Sequence, residues 1–219
     1  MPYDAAISSN SPTPYPRLYT STSLPFTPPL IPYHRREVRN HIQSTPHPNI
    51  IPIIHHDFSP SPGYGSLFFQ RAELGSLDLL ISRFAQRNQY LQDEGFIWKL
   101  LKDISFAIAF LATGRSARET WDAALSARRV TKVQDWNSIM HRDIKPSNVF
   151  LTWTNTDTEE TWPTMLLGDF GCSFADSDIR TSDVRDLPAT DPRFMSPEGR
   201  AYMEAVSYTH LTLPTILRV

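Results

Sequence analysis

The chain has 219 residues, 40% of them hydrophobic and 20% charged, with a formal net charge of −2. That is enough chain for one medium domain with a real core. The near-neutral balance gives no electrostatic reason to expect nucleic acid or an anionic membrane surface as a partner. A lone cysteine, Cys172, excludes an intramolecular disulfide framework and fits a reducing, intracellular setting, cytoplasmic or nuclear.

The longest apolar run, Ile104 to Ala112 with Ser105 inside it, is far too short to span a bilayer. The start shows no charged region followed by an apolar stretch, so no secretory signal is expected. Proline is 19 of 219 residues, and 13 of those 19 precede Gly63. No glycine precedes Gly63 and no lysine precedes Lys99.

Residues 1–33 are rich in Pro, Ser, Thr and Tyr and read as an extended or disordered segment, because proline removes amide donors and biases its predecessor away from helix. Pro25-Phe26-Thr27-Pro28 and Pro29-Leu30-Ile31-Pro32 fit a PxxP site for an SH3- or WW-type partner, but such spacing is common in Pro-rich sequence and a solvated tail is the favoured reading. Arg35 to Ser44 reads as a short helix stopped by Thr45-Pro46-His47-Pro48. Ile50 to Phe58 is β-branched and reads as a strand; Ser59 to Gly63 reads as a turn, and Ser66 to Gln70 as the hairpin partner.

Asp93 caps a predicted helix running to about Ala112, with Ile97, Leu100, Leu101, Ile104, Ile108 and Leu111 spaced for one face, and Gly114 closes it. Arg115 to Asn137 is polar and mixed and reads as an insertion. Val149 to Trp153 and Met165 to Gly168 read as two short strands joined by the acidic stretch Thr154 to Thr164. There is no internal repeat.

The chemistry concentrates in His141-Arg142-Asp143-Ile144-Lys145-Pro146-Ser147-Asn148, followed by Asp169-Phe170-Gly171 and Ser196-Pro197-Glu198. These three motifs, in this order, resemble the catalytic loop, metal-binding motif and activation-segment end of the eukaryotic protein kinase family. The run Ile144 to Phe150 is similar to the NIMA-related branch. The resemblance implies an α+β, protein-kinase-like two-lobed fold, incomplete here: a Pro-rich segment over 1–33, a partial kinase domain over 34–206, and a non-homologous tail over 207–219.

It also implies roles. Asp143 would orient or accept the proton of the attacking hydroxyl, and Lys145 would hold the γ-phosphate, the residue expected of the Ser/Thr branch. Asn148 and Asp169 would supply hard oxygens to Mg²⁺, and Arg142 would pair with a phosphate on the activation segment. His141 and Phe170 are packing residues in this scheme. His47-Pro48-Asn49-Ile50 matches the turn after the family's αC helix, which makes Glu37 the αC glutamate. Phe69 would then be the gatekeeper, with Gln70 and Ala72 in the adenine-contacting hinge. ATP and Mg²⁺ are the implied cofactors, and protein Ser/Thr hydroxyls the implied substrate.

The chain departs from the family pattern in three places. The strand-borne lysine would fall around Arg17 to Thr22, where there is none, and no glycine-rich loop precedes it. Asp191 stands where the family has a threonine that aligns substrate. The helices expected after Glu198 have no counterpart in Ser207 to Val219. The implied function is therefore a protein serine/threonine kinase domain, impaired in this chain; the alternative is a pseudokinase-type binding module without phosphotransfer.

Overall fold

The computed structural model describes residues 20–25, 31–57, 64–153, 162–179 and 192–194. It is α+β, with small antiparallel sheets and helices. The predicted turn at Ser59 to Gly63, the motif Ser196-Pro197-Glu198, Asp191 and the segment 207–219 lie outside the described residues.

Strand β1 (Thr20–Pro25), helix α1 (Ile31–Ser44), β2 (Ile53–Asp57) and β3 (Tyr64–Phe69) come first. The strands form an antiparallel sheet in the order β1-β3-β2, with β3 in the centre. The β2–β3 hairpin matches its sequence reading. A strand also forms at Thr20–Pro25, within the segment read as extended or disordered, and α1 begins four residues before Arg35. The two threonines of β1, Thr20 and Thr22, suit a strand.

A two-residue strand β4 (Gly75–Ser76) leads straight into α2 (Leu77–Gln86), whose N-terminus is capped by the Ser76 hydroxyl accepting from the Leu79 amide. The sequence reading had no helix there, although a Ser immediately before an amphipathic run is a start signal. Helix α3 (Glu94–Thr113) is bounded as expected: Asp93 accepts from the Phe96 amide, and Gly114 takes the left-handed conformation at φ 74°.

The face that α3 buries is only partly the predicted one: Leu111 is buried and Leu100 and Ile104 pack against the core, but the stripe is rotated away from the other three predicted residues. Phe96, Asp103, Ala107, Phe110 and Leu111 are buried, whereas Ile97, Leu101 and Ile108 are 41%, 52% and 43% exposed. The buried stripe runs through Asp103, which a count of apolar residues skips. Its charge is met by Lys99 Nζ at 2.8 Å and by the Met165 amide at 3.1 Å, so the acid can enter the core.

The predicted insertion contains a helix, α4 (Ala117–Leu125). Ser116 and Glu119 make a reciprocal capping box at its start, a sequence signature that had gone unread. Strand β5 (Ile139–Met140) follows and pairs with β8 (Phe174–Ala175), which runs into the single helical turn α5 (Asp176–Ile179). Between them lie the two expected strands, β6 (Val149–Thr152) and β7 (Thr164–Leu167), which pair antiparallel in a sheet extended by β4.

Two apolar clusters hold these elements. One gathers Ile50, Phe110, Leu111, Leu167 and Phe170; the other gathers Leu77, Phe96, Val149, Leu151 and Met165. Ile104 of α3 packs against both, so this helix is their common spine. Strand β7 is buried along its whole length and is gripped on both sides. Asn49 donates from Nδ2 to the Met165 carbonyl at 3.1 Å, and Leu167 exchanges main-chain hydrogen bonds with Asn49 and Ile51. β7 leads directly to Asp169, so this grip fixes where the next loop begins.

Candidate active site

Two loops and one helix meet at the C-terminal ends of β5 and β7. The first loop is His141 to Asn148, ending in a 3-10 turn at Pro146–Asn148. His141 is buried; its Nδ1 accepts from the Asp143 amide at 3.3 Å, so its Nε2 donates to the Gly168 carbonyl at 2.9 Å. One imidazole thus ties the Asp143 loop to the Asp169 loop. Burial holds its pKa below the ordinary histidine value, which keeps the neutral tautomer this bridge requires.

The Asp143 carboxylate is buried and organised. Oδ2 accepts from Lys145 Nζ at 2.7 Å and from Asn148 Nδ2 at 2.9 Å, and the same Asn148 amide donates to the Asp143 main-chain oxygen at 2.9 Å. Oδ1 is buried with no hydrogen-bond partner among the described residues. A carboxylate with one oxygen tied and the other left open is oriented to accept one further proton donor. The structure therefore brings Asp143, Lys145 and Asn148 together.

Arg142 and Asp169 both adopt left-handed backbone conformations, at φ 68° and 61°. Such conformations cost non-glycine residues about 1–2 kcal/mol each and collect at functional sites. Arg142 Nη1 is buried without a hydrogen-bond partner among the described residues. Asp169 is exposed and caps its own turn, its Oδ1 accepting from the Gly171 amide at 3.2 Å.

Glu37, on α1, reaches the same loop. A Cβ at Gly171 would lie 3.2 Å from Asp169 Oδ1 and 3.9 Å from Glu37 Oε2, so the two carboxylates close on one point. Burial, and then the Asp169 charge, push the Glu37 carboxyl up to about 7. A lysine beside Glu37 would pull the other way. β1, the strand nearest the window expected to carry that lysine, has none.

Phe69, Gln70 and Ala72 lie further off, at the end of β3 and in the turn after it. The Gln70 amide donates to the Pro52 carbonyl at 2.9 Å, and the Ala72 carbonyl accepts from the Gly75 amide at 3.1 Å. Phe69 connects to the loops through a residue the sequence reading had passed over. His41 stacks on Phe69 with centroids 5.1 Å apart and on Phe170 at 4.5 Å, and Phe170 meets His141 edge-on at 4.9 Å. His41 Nε2 lies 2.6 Å from the Ile51 carbonyl. Burial holds this imidazole down at about 4, hence neutral. Its position four residues after Glu37, on the same helix face, was the available signal.

Glu73 is a further residue that no sequence motif marks. It accepts from the Thr152 hydroxyl at 2.7 Å and the Trp153 amide at 2.6 Å, closing the turn after β3 onto β6.

Asp169, the Asn148 amide oxygen and Asp143 Oδ1 are hard oxygen donors of the kind Mg²⁺ takes. Among the described residues, no cluster of three or more His, Cys, Asp or Glu is placed to hold a metal by itself. The donor set thus suits a cation that keeps most of its ligands from phosphate and water. Also among the described residues, no helix is long and apolar enough to cross a membrane.

A buried acid held by a lysine and an amide, with an exposed acid just past the end of the buried strand β7, is an arrangement compatible with part of a protein-kinase core. Comparison with known proteins points the same way. The chain is 27% identical over 163 residues to the G2-specific protein kinase nimA of Emericella nidulans, a match covering 73% of this chain and 22% of that protein. It is 28% identical over 155 residues to the G2-specific protein kinase nim-1 of Neurospora crassa, covering 69% of this chain and 17% of that protein. The chain thus spans about a fifth of the length of these curated relatives. No family model matches it.

Proposed function

We propose that this chain is the catalytic-loop portion of a protein serine/threonine kinase that transfers the γ-phosphate of ATP, with Mg²⁺, to protein hydroxyls. The observation that carries this reading is the Asp143 carboxylate, tied at Oδ2 by Lys145 and Asn148, with its buried Oδ1 lacking a hydrogen-bond partner among the described residues. Phosphoryl transfer asks for little covalent chemistry and much positioning. Asp143 Oδ1 would orient the attacking hydroxyl and take its proton. Lys145, 2.7 Å from Asp143, would pivot to the transferring phosphate. Asn148 and Asp169 would hold Mg²⁺, which neutralises charge on the phosphates when bound. Arg142, with its unsatisfied Nη1, suits a phosphate on the activation segment.

The test is transfer of labelled γ-phosphate to a generic protein substrate by the chain and by Asp143→Asn. Loss of transfer in the variant, with nucleotide binding retained, is expected. Equal incorporation by both proteins would sink the role of Asp143.

One observation favours a second reading, a pseudokinase-type binding module. β1 carries no lysine, and burial and the Asp169 charge hold the Glu37 carboxyl up at about 7. Under that reading the chain shows no Mg²⁺-dependent thermal shift with ATP.

A further inference from the structure

The turn from Gln70 to Leu74 joins the two three-stranded sheets, running from Phe69 at the end of β3 to Gly75 at the start of β4. Each end is pinned to its own sheet. The Gln70 amide donates to the Pro52 carbonyl, next to β2, at 2.9 Å, and the Leu74 amide donates to the Leu151 carbonyl of β6 at 3.2 Å. Between these points the Arg71 and Ala72 amides have no hydrogen-bond partner among the described residues.

Glu73 adds a third pin, made by an exposed side chain. Its Oε2 accepts from the hydroxyl of buried Thr152 at 2.7 Å and its Oε1 from the Trp153 amide at 2.6 Å. A carboxylate accepts through both oxygens, and such charge-assisted bonds are stronger than neutral ones. The turn does not need this contact to form. It closes on its own bond, Gly75 amide to Ala72 carbonyl at 3.1 Å, with Gly75 in the left-handed region at φ 81°. Glu73 instead sets where the turn lies against the end of β6. The other end of β6 begins at Val149, directly after Asn148. One four-residue strand thus has the turn clamped at its last residue and Asn148 just before its first.

We propose that Glu73 is a positioning residue for nucleotide binding: its clamp holds the Arg71–Ala72 main chain at a fixed distance from Asn148, so that the base of a purine nucleoside triphosphate meets the turn while its phosphates meet the catalytic loop. This role rests on the functional reading above for the seat of the nucleotide. Glu73 touches neither base nor phosphate in it and acts through the main chain it places.

The experiment is isothermal titration calorimetry with Mg²⁺ and two probes, ATP and inorganic tripolyphosphate, which has no base. Glu73→Ala should bind ATP about tenfold more weakly, the worth of roughly one hydrogen bond at the base, and tripolyphosphate as well as the parent does. Glu73→Gln should recover most of the loss, because its amide oxygen still accepts from Trp153 and its NH₂ can donate to the Thr152 oxygen. Thr152→Val should weaken ATP by a smaller factor and add nothing once Glu73 is alanine. Gly114→Ala, which strains the far end of α3, should leave both affinities unchanged and so separates positioning from stability. Unmoved ATP affinity in Glu73→Ala, equal losses for the two probes, or no recovery in Glu73→Gln overturns the role. A parent chain that binds no ATP overturns the functional reading and this role together, whereas one that binds ATP but transfers no phosphate contradicts the functional reading alone.

Discussion

The side-chain amide of Asn148 donates to both the main-chain oxygen and the Oδ2 carboxylate oxygen of Asp143, each at 2.9 Å. One amide thus fixes the turn and the acid that the turn presents. Asn148→Ala removes both bonds inside a buried loop and should cost about 1–3 kcal/mol of stability in urea denaturation. Misplacing the carboxylate by an ångström should cost phosphoryl transfer on the order of 10²-fold. Ser147→Ala removes only a 3.3 Å contact to Asn148 Oδ1 and should stay within about 0.5 kcal/mol of the parent. Similar losses for the two variants would contradict this account.

Asp103 makes a comparable tie in the core. It is 2% exposed, paired with Lys99, and accepts from the Met165 amide on the strand that leads to Asp169. Asp103→Ala should destabilise the fold by about 1–3 kcal/mol, because it leaves the buried Met165 amide without its acceptor and takes one partner from Lys99. Asp103→Asn keeps an acceptor for Met165 and should cost clearly less. Hydrogen exchange at the Met165 amide would register the difference directly, rising sharply in the alanine variant and little in the asparagine one.

Opposed titrations on α1 and the turn after it give stability a defined pH profile. Burial, then Asp169, raise Glu37 from its ordinary 4.5 to about 7. Burial lowers His41 and His47 from 6.5 to about 4, with the Ile51 carbonyl and Asp103 respectively pulling the other way. Between 4.5 and 7 the folded chain holds a proton on Glu37 that the unfolded chain has lost, so this group makes stability fall as pH rises. Between 4 and 6.5 the unfolded chain protonates histidines that the fold keeps neutral, so these groups make stability fall as pH drops. Each unmatched proton contributes a slope of about 1.4 kcal/mol per pH unit. Glu37→Gln should steepen the acid limb of a melting-temperature profile and remove the decline approaching pH 7. His41→Leu should make the acid limb shallower.

Much of this arrangement is legible in the sequence because its signals are local. The bounds of α3 follow from a capping Asp and a closing Gly, β2 from the β-branched run that begins at Ile50, and the loop chemistry from residues close together in the chain. What escaped depends on distant partners. Nothing near Asp103 announces that a strand amide more than sixty residues later will donate to it in the core, so the apolar spacing assigns the face to Ile97, Leu100, Leu101, Ile104, Ile108 and Leu111, of which Ile97, Leu101 and Ile108 are exposed. His41 reads as a polar helix residue until Phe69 and Phe170 are seen to enclose it. The capping box of α4 and the Ser76 cap of α2 are different. Both were present in the residues and needed only to be read.

Gly114 shows how a local signal and a distant partner combine. Its φ of 74° already disfavours any side chain, and a Cβ would fall 2.6 Å from Trp136 Cδ2. Trp136 packs on Phe110 with centroids 5.0 Å apart and donates from Nε1 to the Leu111 carbonyl at 3.0 Å, so it cannot retreat without uncovering the end of α3. Gly114→Ala should therefore lose about 1–2 kcal/mol to the backbone and a further 1–3 kcal/mol to the displaced indole. Trp136→Leu in the same chain opens the space, so the double variant should recover the second part and not the first. A double-mutant cycle by urea denaturation reads this as a coupling of more than about 1 kcal/mol between the two positions. Additive losses would mean that the glycine answers only to its own backbone and that Trp136 is not what holds the end of α3 in place.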